Sequence, residues 1–225
     1  MILSFAAIND NAAMEEIRGM IAPLSWRDGR ATAGTRARAV KQNEQAIMDD
    51  VHGMALRDRL RPLIAENPVV KAAARPRRLS PLLISRTENG GHYGAHIDNA
   101  LMGKGDARMR SDLSFTLFLS DPADYEGGEL VIHAAGMTQS VKEAAGTLVL
   151  YPSSSIHEVR PVTGGTRIVC VGWIESLIAD HAQRELLFDL ENLRVSLQQT
   201  LPQSSAELLT LDKSIANLMR MWARP

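Results

Sequence analysis

The spacing of apolar positions along the chain changes twice. Met14, Ile17, Ile21 and Leu24 recur at helical intervals behind Asn9 or Asp10, either of which can cap, so a helix is predicted over residues 9–22. Residues 25–45 are polar and contain glycine, and read as loop with a short strand. Helical spacing returns over 46–66, where Pro62 predicts a kink or a restart, and a short helix should follow over 68–74.

From about residue 77 the period falls to two. Short apolar or alternating runs at 79–86, 91–98, 112–120, 128–133, 137–141, 146–151, 156–162 and 166–175 are separated by Gly, Pro, Asn and Asp. Strands at this spacing predict a sandwich or jelly roll. The run 113–120 alternates most clearly. Leu113, Phe115, Leu117 and Leu119 share a core face, while Ser114, Thr116, Phe118 and Ser120 form a mixed face suited to lining a polar cavity.

After residue 177 the helical period resumes. Leu186, Leu190, Leu193 and Leu197 form one stripe, and Ser204-x-x-Glu207 reads as a capping box opening a last helix with Leu208, Leu211, Ile215, Leu218 and Trp222. These stripes must bury on each other, on the β core, or on a second copy of the chain, which makes a homo-oligomer an open expectation. The fold class expected is therefore mainly β with flanking helices (α+β). We divide the chain into an N-terminal helical region, 1–76, packing on the core; a β domain, 77–176; and a C-terminal helical extension, 177–225.

Composition narrows the function classes. With 45% hydrophobic residues, 23% charged residues and a net charge of −1, the chain suits a soluble globular protein and offers no global attraction to nucleic acid or membranes. Arg75, Arg77, Arg78 and Arg86 cluster, but few aromatics are interleaved, so a salt-bridged surface is expected there rather than a nucleic-acid site. The single cysteine, Cys170, suits a reducing cytoplasm, and the opening Met1-Ile2-Leu3-Ser4-Phe5 lacks the basic and apolar regions of a signal peptide.

The chemistry concentrates in His96-Ile97-Asp98. An x-separated pair at a strand end puts both side chains on one face. His157, in a distant run, can supply a third ligand. Two imidazoles and one carboxylate on one face of a metal, with other positions open, form the ligand set of non-haem Fe(II) oxygenases. Taking Thr163-Gly164-Gly165 as a three-residue turn, Pro161 faces Arg167 and His157 faces Val171. Arg167 then lies on the side of His157, about 13 Å away at ~3.3 Å per residue, a span that a metal-chelating ligand with a distal carboxylate can bridge. A two-residue turn would send Arg167 to the outer face. Tyr93, three residues before His96, offers a phenol for a carboxylate or a substrate; a core role is an equal alternative. His92 and Glu129 are weaker candidates.

Several motifs together resemble a known family. They are Tyr93-x-x-His96-x-Asp98, the run Asp112 to Ser120, Tyr125-Glu126-Gly127-Gly128-Glu129-Leu130, the run Tyr151 to Val159 and Gly165-Thr166-Arg167. The segments Trp26 to Gly34 and Arg184 to Leu190 extend the likeness over almost the whole chain. The sequence is similar to Fe(II)- and 2-oxoglutarate-dependent dioxygenases with a prolyl-4-hydroxylase-like catalytic domain, and more closely to the bacterial PKHD-type hydroxylases, which are often associated with iron uptake. The resemblance implies a double-stranded β-helix (jelly roll) over 77–176. It implies Fe(II) held by His96, Asp98 and His157, 2-oxoglutarate bound by Arg167 with Tyr93 beside it, and L-ascorbate keeping the iron reduced. The reaction implied is hydroxylation of a C–H bond with O2, giving succinate and CO2. The prime substrate does not follow from these motifs; a peptidyl or free amino acid and an iron-uptake metabolite stand open. A non-catalytic iron or 2-oxoglutarate sensor, and a cupin-like metal enzyme working without the oxoacid, are the alternatives.

Overall fold

The computed structural model describes residues 1–32, 34, 38–134 and 136–224. Of the stretches read above, Ala33 and residues 35–37 in the 25–45 segment lie outside the described residues, as do Ala135 and Pro225.

Two antiparallel sheets face each other. The larger runs in the order β1 (Leu3–Ala6), β14 (Thr147–Pro152), β10 (Leu113–Phe118), β17 (Arg167–Ser176), β6 (Leu83–Thr87), β4 (Glu44–Ala46) and β2 (Trp26–Asp28), with β5 (Pro76–Leu79) also paired to β17. The smaller runs β13 (Met137–Val141), β12 (Leu130–Ala134), β15 (Ile156–Val159), β7 (His92–His96) and β3 (Lys41–Gln42). Two ribbons, β8 (Leu101–Met102) with β9 (Met109–Arg110) and β11 (Tyr125–Gly127) with β16 (Val162–Gly165), lie at the margins. This is the jelly-roll arrangement the strand spacing predicted.

Alternation on the central strands builds the layers. Along β10, Leu113, Phe115 and Leu117 enter a core shared with helices, whereas Phe118 enters a second core between the sheets. β17 divides the same way. Cys170 and Ile174 face the helices; Val169 faces the opposite sheet. The helices covering the outer face are α1 (Asn11–Ile21), α2 (Val51–Ala65) and α3 (Pro68–Ala74). Ile17, Leu56, Leu60, Ile64 and Val70 are the buried side of this layer. Each such side chain contributes roughly 1.5–3 kcal/mol on leaving water. Asp10, Asp50 and Asn67 accept backbone N–H bonds at the three helix starts, worth about 1 kcal/mol each.

Several boundaries differ from the sequence reading. Helix α2 begins at Val51, because residues 44–46 are taken by β4, and it runs through Pro62 rather than restarting there. The segment before residue 76 also supplies β1, β2 and β4 to the large sheet. The largest correction concerns 156–167. Val162–Gly165 is itself a strand, paired with β11, and β15 and β17 belong to different sheets. The hairpin argued from Thr163-Gly164-Gly165 does not form. Gly165, at φ 68° and with Asp124 backbone where a Cβ would sit, instead takes the chain across from one sheet to the other.

The C-terminal helices α4 (His181–Gln198) and α5 (Ala206–Trp222) pack on each other around Ile178, Leu187 and Ile215. The buried stripe of α4 uses Leu187 and Leu190, while Leu186 and Leu193 are exposed, because the helix turns Glu191 inward to pair with Arg75 at 2.9 Å. The cap of α5 is Ser205, accepting from Leu208 N, rather than Ser204. The buried guanidinium of Arg184 donates to the carbonyls of Ile178 and Ala179 at 2.7 and 2.8 Å, closing the turn before α4. The arginine cluster is a salt-bridged surface: Arg77 and Arg78 pair with Glu175, and Arg86 with Glu44. No helix among the described residues is long and apolar enough to cross a membrane.

Candidate active site

A cavity of about 180 Å³ opens between the two sheets. Its lining carries all the principal residues singled out from the sequence: His96, Asp98, His157, Arg167 and Tyr93. From β17 it takes Arg167, Val169, Val171 and Trp173, four residues on one face of one strand. Ser114 and Thr116 come from the mixed face of β10. His92 and Glu129 are not part of the lining.

His96 and His157 stand opposite each other on paired strands β7 and β15. The pairing is irregular. Tyr93 faces Val159 and His96 faces His157, so β7 spends three steps where β15 spends two. The extra residue is a bulge, and it turns Tyr93 onto the face of His96. Their rings stack with centroids 3.6 Å apart. A regular strand would have placed residues three apart on opposite faces.

Backbone carbonyls fix both imidazoles. His96 Nδ1 lies 2.8 Å from Gly94 O and His157 Nδ1 lies 3.1 Å from Ser155 O. A carbonyl can only accept, so each Nδ1 carries a proton and Nε2 is the nitrogen left to bind a metal. His157 Nε2 is 3.7 Å from Asp98 Oδ2. Asp98 lies just past the end of β7, and a side-chain chain of hydrogen bonds holds it. Ser114 Oγ donates to Asp98 Oδ2 at 2.6 Å, and Ser153 Oγ, 2.7 Å from Ser114 Oγ, must therefore donate to Ser114. One donor atom from each of His96, Asp98 and His157 lies within 4.8 Å of the others. Burial, then the nearby His157, lowers the His96 imidazole to a pKa of about 4, so it is neutral at ordinary pH. Two imidazole nitrogens and a carboxylate oxygen, each oriented from behind, fit a divalent transition metal.

The other end of the cavity holds Arg167, 2% exposed. Its guanidinium lies 5.3 Å from the Phe118 ring centre with the Tyr125 hydroxyl as a polar neighbour, and neither that hydroxyl nor Arg167 Nε and Nη2 makes a hydrogen bond of ordinary geometry among the described residues. Burial lowers its pKa from the usual arginine value. Gly128, at φ 69°, makes room for it: a Cβ there would meet Arg167 Cδ at 2.9 Å. The Gly127-Gly128 pair is thus a space requirement as well as a turn. A buried guanidinium with free donors is a receptor for a planar anion.

Sequence reasoning did not single out Ser153, Trp173 or Lys41 as parts of the site. Ser153 and Trp173 each sit in or beside a run that was noted, but their side-chain roles depend on pairing between strands distant in the chain. Lys41 had no signal, since it lies in a polar segment that becomes a two-residue strand only by pairing with Tyr93 and His92.

Comparison with known proteins gives the family. Residues 82–175 match the 2OG-Fe(II) oxygenase superfamily and residues 181–224 match the PKHD-type hydroxylase C-terminal domain. A PKHD-type hydroxylase of Hyphomonas neptunium is 51% identical over 93% of this chain and 94% of its own. One from Synechococcus elongatus is 48% identical over 99% and 100%. In fold, the chain is similar to a prolyl hydroxylase from Trichoplax adhaerens solved with a hypoxia inducible factor peptide fragment, with TM-score 0.58, 15% identity and coverage of 82% and 86%. It is also similar to HygX from Streptomyces hygroscopicus, solved with nickel, 2-oxoglutarate and hygromycin B, with TM-score 0.53, 15% identity and coverage of 79% and 84%. A partly buried His-Asp-His cluster, a jelly roll and close relatives along nearly the full length together make this chain a member of the PKHD-type hydroxylases, 2-oxoglutarate-dependent dioxygenases of the 2OG-Fe(II) oxygenase superfamily.

Proposed function

We propose that His96, Asp98 and His157 hold Fe(II), that Arg167 receives the distal carboxylate of 2-oxoglutarate, and that the enzyme hydroxylates a C–H bond of an amino-acid-like or iron-uptake-related substrate. The observation that carries this reading is the pairing of an oriented His-Asp-His set with a buried arginine, free to donate, in one cavity. Bound there, Fe(II) would supply the O2-activating chemistry that converts 2-oxoglutarate to succinate and CO2 as the substrate is hydroxylated.

The chain's own residues do the rest. Gly94 O and Ser155 O hold the two Nε2 lone pairs toward one point. Ser114 and Ser153 keep Asp98 aimed. Arg167 fixes the far end of the oxoacid through a planar fork. The Tyr93 ring covers His96 and limits the approach of water. Val169, Val171 and Phe115 make the walls dry, which strengthens each polar contact inside. L-ascorbate is the reductant we expect to restore Fe(II) after unproductive turnovers.

The test is succinate formation from 2-oxoglutarate by purified protein supplied with Fe(II) and ascorbate. Turnover that requires both metal and oxoacid, and is lost on chelation, supports the assignment. Succinate formation that continues unchanged after the metal is removed would contradict it.

A further inference from the structure

Lys41 is the charged residue of the cavity that this chemistry leaves unused. It sits on β3, opposite Tyr93, and is 7% exposed. Its Nζ donates to Thr32 Oγ1 at 3.3 Å and lies 4.9 Å from the centre of the Tyr93 ring. Neither neighbour is an anion, and among the described residues that is the one hydrogen bond the ammonium makes. Asp98 and Asp28 are near enough to favour its charged form, but each is committed elsewhere. Asp98 is tied to Ser114, and Asp28 pairs with Arg30 at 2.7 Å. Burial lowers the lysine to a pKa of about 8, which still leaves it mostly charged at neutral pH.

Asp98 is the only carboxylate lining the cavity among the described residues, and none of the residues outside that set is acidic. The argument now rests on the function proposed above. With Fe(II) on the His-Asp-His set and dianionic 2-oxoglutarate reaching Arg167, the charges of these groups and of the described lining residues cancel except for one positive charge, that of Lys41. A buried cation persists only when something pairs with it. The prime substrate is the remaining occupant of the cavity.

We propose that Lys41 is a specificity-determining residue that binds a carboxylate of the prime substrate, and that the enzyme hydroxylates a small carboxylic acid. The stack of His96, Tyr93 and Lys41 sets the anchor at a fixed offset from the metal ligands, so the C–H bond attacked is chosen by its distance from the carboxylate. Trp173 Nε1, a buried donor without a partner, lines the same cavity and is free for a second polar group of the substrate. One ammonium with neutral donors balances one negative charge. A phosphate, with its larger charge, would leave an excess. The cavity of about 180 Å³, already shared with the oxoacid, favours a small molecule over a polypeptide segment.

The experiment uses the full chain loaded anaerobically with Fe(II) and 2-oxoglutarate. Short-chain carboxylic, hydroxy and amino acids are titrated beside their carboxamides, following the thermal midpoint together with the visible band of the iron–oxoacid chelate. At least one acid should raise the midpoint, with its carboxamide needing about tenfold more or failing altogether. Lys41→Met should remove the acid's advantage and Lys41→Arg should restore part of it. The acid–amide comparison in the unaltered protein stands even if Lys41→Met fails to fold. Acids and amides acting alike, no acid acting, or a folded Lys41→Met protein keeping the preference would each overturn the proposal. An acid-specific midpoint shift without any visible band would contradict the oxoacid assignment and still support the lysine subsite.

Discussion

The two ends of the cavity are finished differently. At the His96, Asp98 and His157 end, hydrogen bonds from within the protein fix each side chain: Gly94 O, Ser155 O and the Ser114–Ser153 pair. At the Arg167 end, Nε and Nη2 are left without partners. A metal needs ligands that are already aimed, so the protein satisfies the back of each one. An anion needs donors that are still free, so the protein withholds partners and bears the cost of a buried, under-paired cation. Function is written into one end by completeness and into the other by incompleteness.

Removing a ligand from the complete end has the largest predicted effect. His157→Ala leaves two donors and should abolish succinate formation while the jelly roll stays folded, checked by turnover beside circular dichroism. At the incomplete end, Arg167→Leu should raise the 2-oxoglutarate concentration for half-maximal turnover by about 100-fold, the loss of a charged, bidentate contact. Arg167→Lys should recover part of it. A maximal rate that collapses with unchanged half-saturation would place Arg167 outside oxoacid binding.

The metal-free protein should also respond to acid. The folded His96 resists protonation down to a pKa of about 4, whereas in the unfolded chain it takes a proton near 6.5. The unfolded state then holds more protons between those values. Stability is fully present above about pH 6.5 and should fall, on the order of 2 kcal/mol, as pH drops toward 4. Denaturation midpoints in the presence of a chelator, measured across that window, check the sign. A protein that gained stability on acidification would break the comparison. The smallest effect expected is that of Ser114→Ala, which frees Asp98 to rotate and should weaken Fe(II) binding about tenfold.

The sequence was informative where the chemistry follows local spacing. His-x-Asp, the alternation of 113–120 and the face shared by Arg167, Val169, Val171 and Trp173 could all be read from a period of two. Where strands distant in the chain meet, spacing failed. Arg167 was assigned to the cavity through a hairpin with His157 that does not exist; the two residues share the cavity because β15 and β17 face each other across it. Its own strand alternation, with apolar neighbours on the same face, carried the correct part. Tyr93 needed a bulge that no residue type announces. Lys41 needed a two-residue strand whose only support is long-range pairing. The helix stripe at Leu186 and Leu193 was misread because the Arg75–Glu191 pair sets the rotation of α4, and a distant arginine is invisible to periodicity.

The central claim is that one cavity gathers an iron site and an oxoacid site. The most direct measurement is an anaerobic titration of the metal-free protein with Fe(II) and then 2-oxoglutarate, watching the visible charge-transfer band, beside His157→Ala. The account predicts a band that requires both additions, is missing from the variant and fades when O2 is admitted. A folded, iron-loaded protein that shows no band on adding 2-oxoglutarate would contradict it.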